Sequence, residues 1–112
     1  MRFKMLVEIE KIHDEAMELL DQAHIALLNK NHTLALQMKQ QAFEKEREAS
    51  NRLSNEDIEP SRSILYRSAA SIALDLGFYK EAEKLACAGL MGNPPEWVEN
   101  ELRDIFNKKI LK

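Results

Sequence analysis

The first 59 residues of this 112-residue chain contain neither glycine nor proline; all three glycines and all three prolines come later. Nothing in that first half forces a helix to break. Three scattered glycines (Gly77, Gly89, Gly92) also cannot form a phosphate-cradling loop. There is one cysteine, Cys87, so no internal disulfide can form and a reducing, cytoplasmic setting is the expectation. Two valines and one threonine leave little to build a sheet from. No long apolar run exists, and Glu8 and Glu10 interrupt the N-terminal segment, so neither a signal peptide nor a membrane span is expected. Neither sign of charge dominates: the formal net charge is -3, which provides no electrostatic footprint for nucleic acid. Ser61, Ser63, Ser68 and Ser71 lack a glycine-flanked elbow or a framed base, so no hydrolase chemistry is indicated. No enzyme activity and no cofactor are expected.

What is present favours helix. Apolar residues make up 45% and charged residues 31%, a globular composition with a charged surface. Met5, Ile9, Ile12, Ala16, Leu19, Leu20, Ala23, Ala26 and Leu27 recur in steps of three and four, which predicts a first helix from about Lys4 to Asn29. Asn29-Lys30-Asn31-His32 reads as the break, since Asn tolerates left-handed backbone and caps helices. Ala35, Met38, Ala42, Ala49 and Leu53 give the stripe of a second helix, with Leu36 and Phe43 beside it. Its run Glu44-Lys45-Glu46-Arg47-Glu48 reads as a solvated segment laced with ion pairs. Pro60 opens a third helix that Gly77 ends, and a fourth runs from Phe78 to about Met91. After Gly92-Asn93-Pro94-Pro95, with Asn93 as the expected cap, a fifth helix carries Val98, Leu102, Ile105 and Phe106.

The second hairpin carries an internal pattern. Tyr66, Ala69, Ala70 and Ala73 precede Gly77; Tyr79, Ala82, Ala86 and Pro94 follow it. This spacing resembles the tetratricopeptide repeat (TPR), in which small residues let antiparallel helices approach and bulky ones fill the groove beside them. In the first hairpin, Leu19, Ala23, Ala26, Ala35 and Ala42 fall at corresponding offsets. There Lys30 stands where the pattern has glycine, and His32 where it has an aromatic. Residues 16–48 are also similar to the front of the MIT domain, and the stretch from Pro60 to Pro95 resembles segments of small bacterial helical proteins. The resemblance implies an all-α fold of about five helices: a TPR-like hairpin over 4–53, another over 60–91 and a capping helix over 95–110, in one domain over 1–112. It also implies a groove lined by Leu20, His24 and Leu27 from the first hairpin and by Arg67, Ser71 and Leu74 from the second.

Two constellations could carry function. The stretch Ser61-Arg62-Ser63-Ile64-Leu65-Tyr66-Arg67-Ser68 is the most suggestive polar one, and the TPR resemblance puts Arg67 where carboxylate-binding members have a cation, which implies a grip on a peptide carboxylate through two parallel hydrogen bonds. The favoured reading is plainer: Arg62 and Arg67 merely pair with Glu59, Asp75 or the acidic second helix. The binding candidates are His24, Arg62, Arg67 and Ser71. The second constellation, Glu10-x-x-His13 and Asp21-x-x-His24, has the Glu-x-x-His geometry of metal-holding bundles. Both pairs lie on one helix, about 16 Å apart, so no metal site is assigned and a small metal protein or enzyme using them is the alternative. The leading expectation is a binding or scaffolding module for a protein or peptide partner, without nucleic-acid or membrane partners. Self-association is expected through Met5, Leu6, Leu36 and Phe43. The basic tail from Lys108 to Lys112 suits a helix C-terminus.

Overall fold

A computed structural model describes residues 2–111 and the side chains of residues 3–108. Five helices account for nearly all of it: α1 (Arg2–Leu28), α2 (His32–Arg52), α3 (Ser61–Asp75), α4 (Tyr79–Leu90) and α5 (Glu96–Leu111). No strand occurs among the described residues. The chain is all-α, two antiparallel hairpins followed by a single helix. The basic residues Lys109 and Lys112 lie outside the described side chains.

Both hairpin turns close in the same way. The N–H of Lys30 donates to Leu27 O at 2.9 Å and that of Asn31 to Ala26 O at 2.9 Å. Gly77 N–H donates to Leu74 O at 3.0 Å and Phe78 N–H to Ala73 O at 2.8 Å. This paired bonding needs a left-handed residue just past the helix, and Lys30 (φ 62) and Gly77 (φ 80) supply it. The left-handed residue of the first turn is thus Lys30, at the position where the repeat pattern has glycine, rather than its Asn neighbours. Asn31 takes the capping role, its side chain accepting from the Leu34 N–H at 3.2 Å.

Small residues let the helices meet closely. Ala16, Ala42 and Ala49 have no exposed surface where α1 crosses α2, and neither do Ala69, Ala70, Ala73, Ala82 and Ala86 where α3 crosses α4. α5 closes the far side with Val98 and Leu102, both at 0% exposure. Its approach depends on Gly89, where a Cβ would sit 3.0 Å from Leu102 Cδ1 and 3.1 Å from Tyr66 Cβ. The main core therefore lies in the second hairpin and α5, joined by Phe43 from α2, whose ring meets Phe78 edge-on at 5.7 Å. A smaller core of Ile9, Ala49, Leu53 and Leu65 ties the start of α1 to the end of α2 and the start of α3. Overall extents of 41 × 37 × 20 Å describe a slab. It is about two helix diameters thick, and the 27-residue α1, about 40 Å long, matches its long side.

Three local expectations change. Phe43 is 2% exposed, so it belongs to the core and not to a self-association surface. Asn93 does not cap α5 through its side chain. The Pro95 carbonyl accepts the first helical bonds instead, and the Asn93 N–H donates to Glu59 Oε2 at 2.9 Å. The charge run on α2 is not wholly solvated, because Glu46 has 0% exposure.

Candidate functional site

The α2–α3 loop returns the chain so that α1 and α3 run in the same direction across α2. Two hollows lie along their seam. The tip hollow, about 340 Å³, is lined by Leu20, Ala23, His24 and Leu27 of α1, His32, Ala35, Leu36 and Lys39 of α2, and Asp75 and Leu76 at the end of α3. The base hollow, about 400 Å³, is lined by Leu6, Ile9, Glu10 and His13 of α1, Leu53 and Ile58, and Ser61, Ile64 and Leu65 of α3. Lys39, Glu46 and Leu53 are spaced by seven on α2, two turns each, so they share a face. Lys39 is in the tip hollow and Leu53 in the base hollow, and Glu46 lies midway beneath the seam.

Glu46 is the most unusual residue here. Its carboxylate is fully buried, and His13 Nδ1–H donates to it, at 2.9 Å to Oε1 and 2.8 Å to Oε2. A carboxylate only accepts, so Nδ1 must carry the hydrogen and Nε2 is left uncommitted. The hydrogen bond to Glu46 raises the His13 pKa above its ordinary 6.5. Burial opposes this, and the charges of Glu46, Asp14 and Glu10 add to it. Isolating a carboxylate from water is costly unless it is paired, so His13 is what makes Glu46 tolerable between α1 and α2.

The tip hollow combines an aliphatic floor with polar groups that have no side-chain partner among the described residues. Lys39 is half-buried and forms no ion pair among the described residues, whereas Lys45 pairs with Glu15 at 3.3 Å. His24, His32 and Asp75 likewise make no side-chain hydrogen bond among the described residues. Leu27 and Leu36 remain 48% and 51% exposed, and Ala35 supplies the buried floor.

Of the residues singled out from the sequence, Leu20, His24 and Leu27 come together in the tip hollow. Ser71 is exposed, and Leu74 packs half-buried against the main core. Arg67 turns toward α5, where its Nη1 donates to Glu101 at 3.2 Å and its guanidinium lies 5.9 Å from the centre of the Trp97 ring. Arg62 is 7% exposed and acts as an internal tie. Its Nε donates to Ser54 O at 3.1 Å and its Nη2 to Ala88 O at 2.9 Å, and the group stacks 4.9 Å from the Tyr66 ring centre. Neither arginine pairs with Glu59, Asp75 or α2. Glu10 and His13 share the base hollow, Asp21 is exposed and His24 is in the other hollow. Among the described residues, no three His, Cys, Asp or Glu side chains converge to hold a metal.

The main residue missed from sequence was Glu46, and its signal was present. It stands four after Ala42 and three before Ala49, in the middle of the apolar stripe. Lys39, four after Ala35, sits on the same face. Asp75, Ile58 and Ser61 join the hollows only through the packing of α3 on α2, for which no local pattern exists. No described helix is long and apolar enough to cross a membrane. Compared with protein-family models, with characterised proteins and with solved structures, the chain matches none.

Proposed function

We propose that this chain is a non-catalytic protein- or peptide-binding module of the TPR-like type, acting in a bacterial cytoplasm. The tip hollow carries the reading. It is a concave aliphatic surface on the seam of α1 and α3, rimmed by four polar side chains left unbonded among the described residues. Recognition surfaces of this kind combine apolar contact with a few orienting polar groups. Arg67 is already bonded to Glu101, so a partner would gain it only by displacing an internal carboxylate. The reading therefore centres on His24, Lys39 and Leu36 rather than on the arginines. Of the residues expected to drive self-association, Leu36 stays exposed and lines this hollow while Met5 and Leu6 pack half-buried on the smaller core, so the neighbouring exposed Ile25 and Leu34 would carry a self-contact.

Selection from a displayed peptide library tests the proposal. A selected peptide should lose at least about tenfold in affinity with Leu36→Glu, as expected for a charge placed against a buried apolar anchor. Leu28→Glu, outside the hollow, should leave that affinity unchanged. Failure to select any peptide, or equal loss in both variants, refutes the reading.

A further inference from the structure

We propose that the base hollow is a binding site for a small, uncharged, mainly aliphatic molecule carrying one hydroxyl group, with His13 Nε2 as the anchor for that hydroxyl. The walls set the body of the ligand. Leu6 and Ile9 from α1, Leu53 and Ile58 from the α2 end and loop, and Ile64 and Leu65 from α3 surround a space of about 400 Å³. All six are aliphatic, and the volume lies in the range of small-molecule sites.

The head group follows from hydrogen-bond bookkeeping. His13 Nδ1–H is committed to Glu46. That leaves Nε2 as the ring nitrogen not bonded to Glu46, on a residue that lines the hollow. Ser61, on the opposite wall, makes no side-chain hydrogen bond among the described residues. The charged groups around this point are Glu10 and Asp14 on α1 and Glu46 on α2; the α3 wall contributes only Ser61 and aliphatic side chains. A ligand anion would meet those carboxylates. A ligand cation would be drawn to the same carboxylates, Glu10 in the lining among them, but it could not use His13 as its anchor when the ring is protonated, because Nε2 then offers no lone pair. A hydroxyl suits both states, because it accepts from Nε2–H when the ring is charged and donates to the Nε2 lone pair when it is neutral. Glu46 is thus a positioning residue that fixes the tautomer and ring plane of His13, while only His13 and the walls touch the ligand.

Three probes with the same tail and different heads separate this reading from a merely apolar dent: 1-heptanol, heptanoate and heptylamine, each titrated into methyl-labelled protein and followed by NMR. The alcohol should give saturable shifts at the Ile9, Ile58, Ile64 and Leu65 methyls and at the His13 ring, and should bind at least about fivefold more tightly than either ion. His13→Phe, if it stays folded by circular dichroism, should weaken heptanol binding about five- to tenfold while keeping the methyl shifts. The wild-type comparison of heads stands without that variant. Absence of saturation at His13, equal shifts at exposed Leu28, or an ion binding as tightly as the alcohol overturns the proposal.

Discussion

Removing His13 should hurt far more than removing its partner. His13→Ala leaves the Glu46 carboxylate, at 0% exposure, with no donor among the described residues. Orphaning a buried charge costs about 3–5 kcal/mol. His13 lines an open hollow through which water can follow the vacated space, so we expect the low end, about 3 kcal/mol. Glu46→Met should cost less than about 1 kcal/mol or stabilise, because it replaces a desolvated carboxylate with an apolar chain of similar length and leaves a half-exposed imidazole that water can serve. The double variant His13→Ala with Glu46→Met should cost no more than about 1 kcal/mol, giving a coupling of about 2 kcal/mol. The effect depends on pH with a definite sign. His13 has a raised pKa in the folded chain, so the stability contributed by its proton is fully present below the ordinary value of 6.5. It is lost as pH rises through the higher folded value. Urea unfolding of the four proteins between about pH 5 and about pH 9 checks both points, with the slope against urea held as a control. If the two single variants cost the same, or if the proton-linked stability grows as pH rises, the assignment of a buried, proton-stabilised pair is wrong.

Further predictions concern turns and packing. Gly77→Ala should cost about 1–2 kcal/mol from the left-handed backbone alone, since nothing lies within 4 Å of a Cβ there. Lys30→Gly should instead stabilise by up to about 1 kcal/mol, its relief of strain partly offset by a more flexible unfolded chain; thermal denaturation reads both. At Gly92 an added Cβ would overlap Arg62 Nη1 and come within 2.7 Å of Glu59 Oε2. Gly92→Ala should therefore loosen the bond from Asn93 N–H to Glu59, seen as faster hydrogen exchange at Asn93. Glu101→Ala removes a part-exposed ion pair and should cost under about 1 kcal/mol, while shifting the emission of Trp97, beside which Arg67 sits.

The class of fold was legible because helical periodicity is a local property. The stripe from Met5 to Leu27 places α1 whatever it packs against, and the alanines at Ala69, Ala73, Ala82 and Ala86 announce a close crossing. Gly77 marked its own turn. Lys30 did not, because a lysine takes a left-handed backbone only when the surrounding bonds from Asn31 to Ala26 and from Lys30 to Leu27 compel it. The phase of the stripe also held the burial of Glu46, but charge masked it. A carboxylate in an apolar stripe is tolerable only with a donor opposite, and that donor stands 33 residues away at His13.

The amino-acid order by itself therefore determined the helices, most of their buried faces and the hairpin turn at Gly77. Tertiary structure decided everything that depends on how helices are placed against each other. It joined His24 to Lys39 and Asp75 in one hollow and His13 to Ser61 in another, gave Arg67 to Glu101, and buried Arg62 beneath Gly92. The physical reason is range. Backbone bonding and side-chain spacing act within about one or two helical turns, whereas a site is made of side chains that only the packing of α1 and α3 across α2 brings within reach.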